Sequence, residues 1–146
     1  MKKLILAAVT AVVMFSTSVA AEQQKYYMET VTDPQQRAIV NIVHNEIAEC
    51  VSFYIVSMVR ANANANAKTA KKLNKTILRL YVRARQLHRK DVTEERIKLA
   101  QEMIYKQMDN NWKNYFLVWN EYAYHCEEVV KNPRGRIKYW VAIMPQ

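Results

Sequence analysis

Glycine is almost missing from this chain: among 146 residues there is one, Gly135. A Gly-x-Ser-x-Gly nucleophile elbow needs two, and the loops that wrap backbone amides around a phosphate also need several, so the common hydrolase and nucleotide-loop chemistries are excluded. Proline is scarce as well. Pro34, Pro133 and Pro145 are the only three, all near the ends of the region after residue 32, so nothing breaks the middle and helices are expected throughout. There is no Glu-x-x-His pair, no His-Glu-x-x-His and no Cys-x-x-Cys-His. Di-iron, zinc-protease and haem sites of the usual kinds therefore have no ligand pattern, and neither a metal nor a cofactor is expected.

Acid is missing where base is densest. From Lys68 to Lys90 stand nine lysines and arginines and no aspartate or glutamate. The chain as a whole carries a formal charge of +9.

The first residues, "MKKLILAAVTAVVMFSTSVA", put two lysines before an apolar run from Leu4 to about Phe15 and end on small residues. That order is a secretory signal peptide, since the run is shorter than the roughly 20 residues a spanning helix needs and a small-x-small site follows it. Cleavage after Ala20 would leave 126 residues with a charge of +7, two lysines lighter. The expected organisation is a signal peptide at 1–20, a flexible leader at 21–32 and one helical domain at 33–146, exported to the periplasm or secreted. No membrane-spanning helix is expected in the chain that remains.

Helical periods divide the domain. Asp33-Pro34-Gln35-Gln36 gives a capping acid, proline at the first helical position and glutamine at the third. Behind it Ile39, Ile42, Val43, Ile47, Cys50, Phe53, Tyr54 and Met58 follow one face of a helix over about 34–61. In a second helix, about 68–89, Ala70, Leu73, Ile77, Leu80, Ala84 and Leu87 alternate spacings of three and four. Asp91-Val92-Thr93-Glu94 reads as another capping box, opening a third helix over about 92–108 with Ile97, Ala100, Ile104 and Met108 inside. The stripe continues through Trp112, Tyr115, Trp119, Tyr122, Cys126 and Val129, so period alone allows one helix of nearly forty residues.

The two cysteines decide. In an exported chain Cys50 and Cys126 read as a disulfide. An unbroken third helix would leave them roughly 30 Å apart along the axis, whereas the two Cα atoms must come within ~7 Å. A turn at Asp109-Asn110-Asn111 returns the chain antiparallel to the first helix and brings them close. The expectation is an all-α, up-down four-helix bundle, its last helix at about 111–131, with Cys50 bonded to Cys126 and a C-terminal tail folded over one end as an extended segment or single turn. Between the first two helices, "ANANANA" at 61–67 lacks an apolar face and is expected to be the joint.

The strongest candidate surface is the outer face of the second helix, where Lys68, Lys72, Lys75, Arg79, Arg83 and Lys90 fall within about an 80° arc. Such a strip attracts anionic lipid, lipopolysaccharide or an acidic protein, unless Glu94, Glu95 and Glu102 of the next helix neutralise it. Nucleic acid suits the charge but is disfavoured by the export signal and the lack of a nucleic-acid motif. Glu46 lies inside the apolar arc of the first helix and needs a cation, Arg83 or Arg85 being the expected partner. His44, His88 and His125 are scattered, and a Glu121/His125/Cys126 corner is too poor a set for a metal. No catalytic group is identified. The function these features point to is non-catalytic binding of an anionic envelope component or partner through the second helix. The alternative is a carrier of a small apolar ligand, using Trp112, Tyr115, Phe116, Trp119, Tyr122 and Tyr124 as a pocket lining.

Overall fold

The structure, a computed structural model, describes residues 27–144. The expected signal peptide and the leader as far as residue 26 lie outside them. The described residues are all-α, with no strand. In chain order they form α1 (Tyr27–Thr30), α2 (Pro34–Ala63), α3 (Ala67–Leu87), α4 (Lys90–Gln107), a 3₁₀ turn (Trp112–Asn114), α5 (Tyr115–Lys131) and α6 (Arg136–Ile143).

The long helix α2 starts as its sequence dictates: the Asp33 carboxylate accepts from the Gln36 amide at 2.7 Å, and Pro34 occupies the first turn. It is not one-sided. Ile39, Val40, Val43, Ile47, Ala48, Cys50, Val51, Phe53, Ile55 and Val56 are all buried, and together they cover nearly its whole circumference. The reason is its position. α3 packs along α2 most extensively and α4 next, while α5 and α6 lie on it over shorter stretches, and these outer helices touch one another less than they touch α2. The four long helices stand where the periodicity puts them, but they gather around α2 as a hub rather than sharing contacts evenly around a ring. By length and composition α2 could cross a membrane, yet 67% of its most apolar window is buried inside the protein.

The polar residues of the hub set the register of its neighbours. Ser52 Oγ donates to Ala48 O at 2.9 Å and lies 2.8 Å from Ile97 O in α4. Ser57 Oγ lies 2.7 Å from the Tyr115 hydroxyl in α5. His44 and Glu46 do the same toward α4 and α6, as described below. Each is a buried polar group that finds a partner on a neighbouring helix in this alignment.

α5 runs back along α2, and Cys50 and Cys126 are disulfide-bonded with their Cα atoms 5.3 Å apart. The reversal that allows this falls at the expected place: Asp109 and Asn110 adopt φ of 51° and 53°, left-handed values that short polar side chains tolerate. The Asn111 side chain then accepts from the Lys113 amide and opens the 3₁₀ turn. α5 consequently begins at Tyr115, four residues later than the periodicity suggests.

Three other expectations change. The part of the leader that is described is packed, since Met28 and Val31 are buried in the core and the Arg37 guanidinium holds Val31 O at 3.2 Å. Asp91 is not a cap: α4 starts at Lys90, and Asp91 instead pairs with Arg89 in the first turn. The tail is a two-turn helix, α6, which sets Ile137 and Trp140 against the core. The Ala/Asn repeat is the joint, although α2 claims its first three residues. Ala65 turns the chain with φ of 55°, and Asn66 caps α3 by accepting from the Thr69 amide at 3.0 Å.

Candidate functional site: a basic helix face and an adjoining groove

The sequence-predicted strip divides in two along α3. Lys68, Lys72 and Lys75, with Lys71 beside them, are exposed and form no ion pair among the described residues. The acids expected to neutralise them are elsewhere: Glu94 accepts from the Tyr81 hydroxyl at 3.0 Å and lies 3.7 Å from Lys90. Lys90 therefore belongs to α4 and its own glutamate, not to the free face.

Arg79 and Arg83 behave differently from the lysines. The Arg79 guanidinium donates to Val130 O at 2.7 Å, reaching a carbonyl in the last turn of α5 where acceptors are left without intrahelical donors and the helix dipole favours a cation. Arg83 is half-buried and donates to Gln86 Oε1 at 3.2 Å, while its Nε is buried with no hydrogen-bond partner. Burial lowers the Arg83 pKa, and the nearby positive charge of Arg134 lowers it further. Between this part of α3 and the end of α5 runs an open groove of about 610 Å³, with Leu78, Val82 and Arg83 on one side and Val130, Pro133 and Arg134 on the other. No carboxylate lines it.

Glu46 occupies a second cleft, of about 250 Å³, with Ile42, Asn45, Glu49, His125 and Trp140. Its partner is neither Arg83 nor Arg85. Arg136 of α6 grips both carboxylate oxygens, one through Nε at 2.9 Å and the other through Nη2. Trp140 Nε1 lies 3.4 Å from one oxygen, and His125 Nε2 is 3.4 Å from the other. Arg83 lines the groove instead, and the cation comes from the tail that folds back. With both oxygens engaged, Glu46 fastens α6 to α2 rather than offering a free carboxyl to a substrate. Glu49, at the mouth of the cleft, has its pKa raised by partial burial and by the like charges of Glu46 and Glu121.

His44 is fully buried beneath α4. Arg96 can only donate, so Nδ1 of His44 must accept from it, which leaves Nε2–H to donate to Thr93 Oγ1 at 2.9 Å. The Thr93 hydroxyl in turn donates to Arg89 O at 2.9 Å. This chain has room for a neutral imidazole only. Burial, then the charges of Arg96 and His88, bring its pKa down to about 3.

Among the described residues no three histidine, cysteine or acidic side chains come together in a way that could hold a metal ion. The aromatic residues considered as a carrier lining are dispersed. Tyr115 is buried against Ser57, Trp112 and Tyr122 are half-buried on the core, and Phe116, Trp119 and Tyr124 are exposed; none lines either cleft.

The groove was beyond sequence reasoning. It joins residues near 80 to residues near 130, and its only local sign is Arg134, set between Pro133 and Gly135 just past the end of α5. Comparison with protein-family models, curated proteins and solved structures finds no match to this chain.

Proposed function

We propose that this is an exported, non-catalytic helical protein that docks through α3 on an anionic envelope component, whether lipid phosphate, lipopolysaccharide or an acidic protein surface. One observation carries the reading: Lys68, Lys72 and Lys75 project from one face of α3 with no acid paired to any of them among the described residues. A face built only for solubility gains as much from mixed charges, whereas an unbroken cationic row is attracted to a surface of opposite sign. Each lysine near an anionic membrane is worth about 1 kcal/mol, so three together shift binding by roughly two orders of magnitude at low salt.

The test is co-sedimentation with vesicles containing phosphatidylglycerol, beside vesicles of phosphatidylcholine alone, across a salt series. Reversal of Lys68, Lys72 and Lys75 to glutamate is expected to abolish retention on the anionic vesicles and to flatten its salt dependence. Retention unchanged by the triple reversal at every ionic strength would overturn the reading. Lys72 and Lys75 are preferred to Arg79 as targets because Arg79 also closes the end of α5.

A further inference from the structure

We infer that the groove between α3 and the end of α5 binds one anionic phospholipid molecule, its phosphate between Arg83 and Arg134 and its first acyl carbons along Leu78 and Val82. The inference deepens the proposed docking on anionic surfaces and rests on it for the presence of such lipids.

The groove's other cations are already committed. Arg79 is spent on Val130 O, and Lys131 turns away to Glu127 and Glu128. Arg134 and Arg83, which gives one Nη1 hydrogen bond to Gln86 Oε1 and keeps its other donors, remain. They lie close enough to depress the proton affinity of Arg83, no carboxylate stands in the groove wall, and Arg83 Nε is buried with no hydrogen-bond partner. Arg134 is exposed and takes part in no hydrogen bond or ion pair among the described residues. Two guanidiniums lining one groove without a carboxylate between them repel each other, and an oxyanion held by both reverses the sign of that interaction. Guanidinium forks suit phosphate because they can present paired N–H donors to its oxygens.

The apolar residues select the rest of the ligand. Leu78 is 39% and Val82 56% exposed, one turn apart on α3 and on the same wall as Arg83. A wholly hydrophilic anion would leave them in water. An amphiphile covers them as its head meets the arginines. An acidic protein or a free phosphate offers no acyl chain, whereas both the charge and the apolar portion of a phospholipid have a counterpart here.

The probe is dihexanoyl-phosphatidylglycerol as monomers, titrated into the full-length protein while the Val82 methyl and arginine side-chain NMR signals are followed. Inorganic phosphate and dihexanoyl-phosphatidylcholine are titrated in parallel. Saturable binding of the anionic lipid is expected at the groove signals, about tenfold or more tighter than either control. Arg134→Gln, at an exposed position, and Val82→Asp are each expected to weaken it by about tenfold. The lysine triple reversal should leave it within about twofold, because those residues lie nearer the start of α3, outside the groove wall. Equal binding of inorganic phosphate would mean an anion site only, equal binding of the choline lipid an apolar groove only, and each would overturn the inference, as would silence at the groove signals. Vesicle binding that needs the lysines while the groove stays silent would retain the proposed function and remove only this site. The reverse pattern would keep the site and remove the surface docking.

Discussion

Arg136 clasps the buried carboxylate of Glu46 across ninety residues of chain, with side chains only 14% and 6% exposed. The pair is the main polar tie between α6 and the hub, since α6 has no fully buried residue of its own. Arg136→Leu leaves a buried carboxylate with only the His125 imidazole, 3.4 Å away, to compensate it, and is expected to cost roughly 3 kcal/mol in urea unfolding. Glu46→Leu combined with Arg136→Leu should recover most of that loss, because no uncompensated charge remains.

His44 gives stability a defined pH dependence. Its folded pKa is depressed to about 3 from 6.5, so the unfolded chain takes up a proton that the folded chain refuses. Stability from this group is complete above pH 6.5 and is lost as pH falls toward 3. The steepest slope is about 1.4 kcal/mol per pH unit and the total about 4 to 5 kcal/mol. Urea midpoints of the parent and of His44→Gln, compared between pH 7 and 4, should converge as the pH drops.

Reducing the Cys50–Cys126 bond opens a loop spanning 76 positions of sequence. The chain-entropy model puts the loss at ~4 to 5 kcal/mol. Thermal unfolding with and without a reductant reads it directly, and Cys50→Ala with Cys126→Ala should reproduce the reduced form.

Neighbouring residues of the Ala/Asn joint should respond with opposite signs. Ala65 holds φ at 55°, where a Cβ is strained, so Ala65→Gly is expected to stabilise by about 0.5 to 1 kcal/mol. Asn66→Ala removes the α3 cap and should cost about 1 kcal/mol. Denaturant midpoints of the two variants against the parent suffice.

What could be read from sequence follows from how many sides each helix buries. α3 has one neighbour-facing stripe, and Ala70, Ile77, Leu80, Ala84 and Leu87 are buried as their spacing requires. α2 packs on several partners at once, so a one-faced reading misses Val40, Val51, Ile55 and Val56. The antiparallel return of α5 was legible because a disulfide imposes a distance that the alternative topology violates. The partner of Glu46 was not. Period says which way a side chain points but not which distant cation meets it, and the tail expected as an extended segment or single turn is the helix that carries Arg136. At Asp91 a local capping pattern yielded to the interior: Thr93, on the buried face of α4, is the hydrogen-bond partner of His44, and the helix starts two residues earlier than the pattern suggests. The lysine face was legible as charge alone. Its continuation into a groove with Arg134 depends on tertiary contact, which spacing cannot give.

The position of α2 also fixes an order of assembly. Its pairing with α3 closes through a three-residue turn and can form early, whereas its ties to Cys126 and Arg136 wait for chain 76 and 90 positions away. Until those arrive, the flank of α2 that will meet α5 and α6 stands open to water and to other unfinished chains. An intermediate stalled at α2–α3 is therefore the species most prone to self-association, and the last third of the polypeptide acts as its cover.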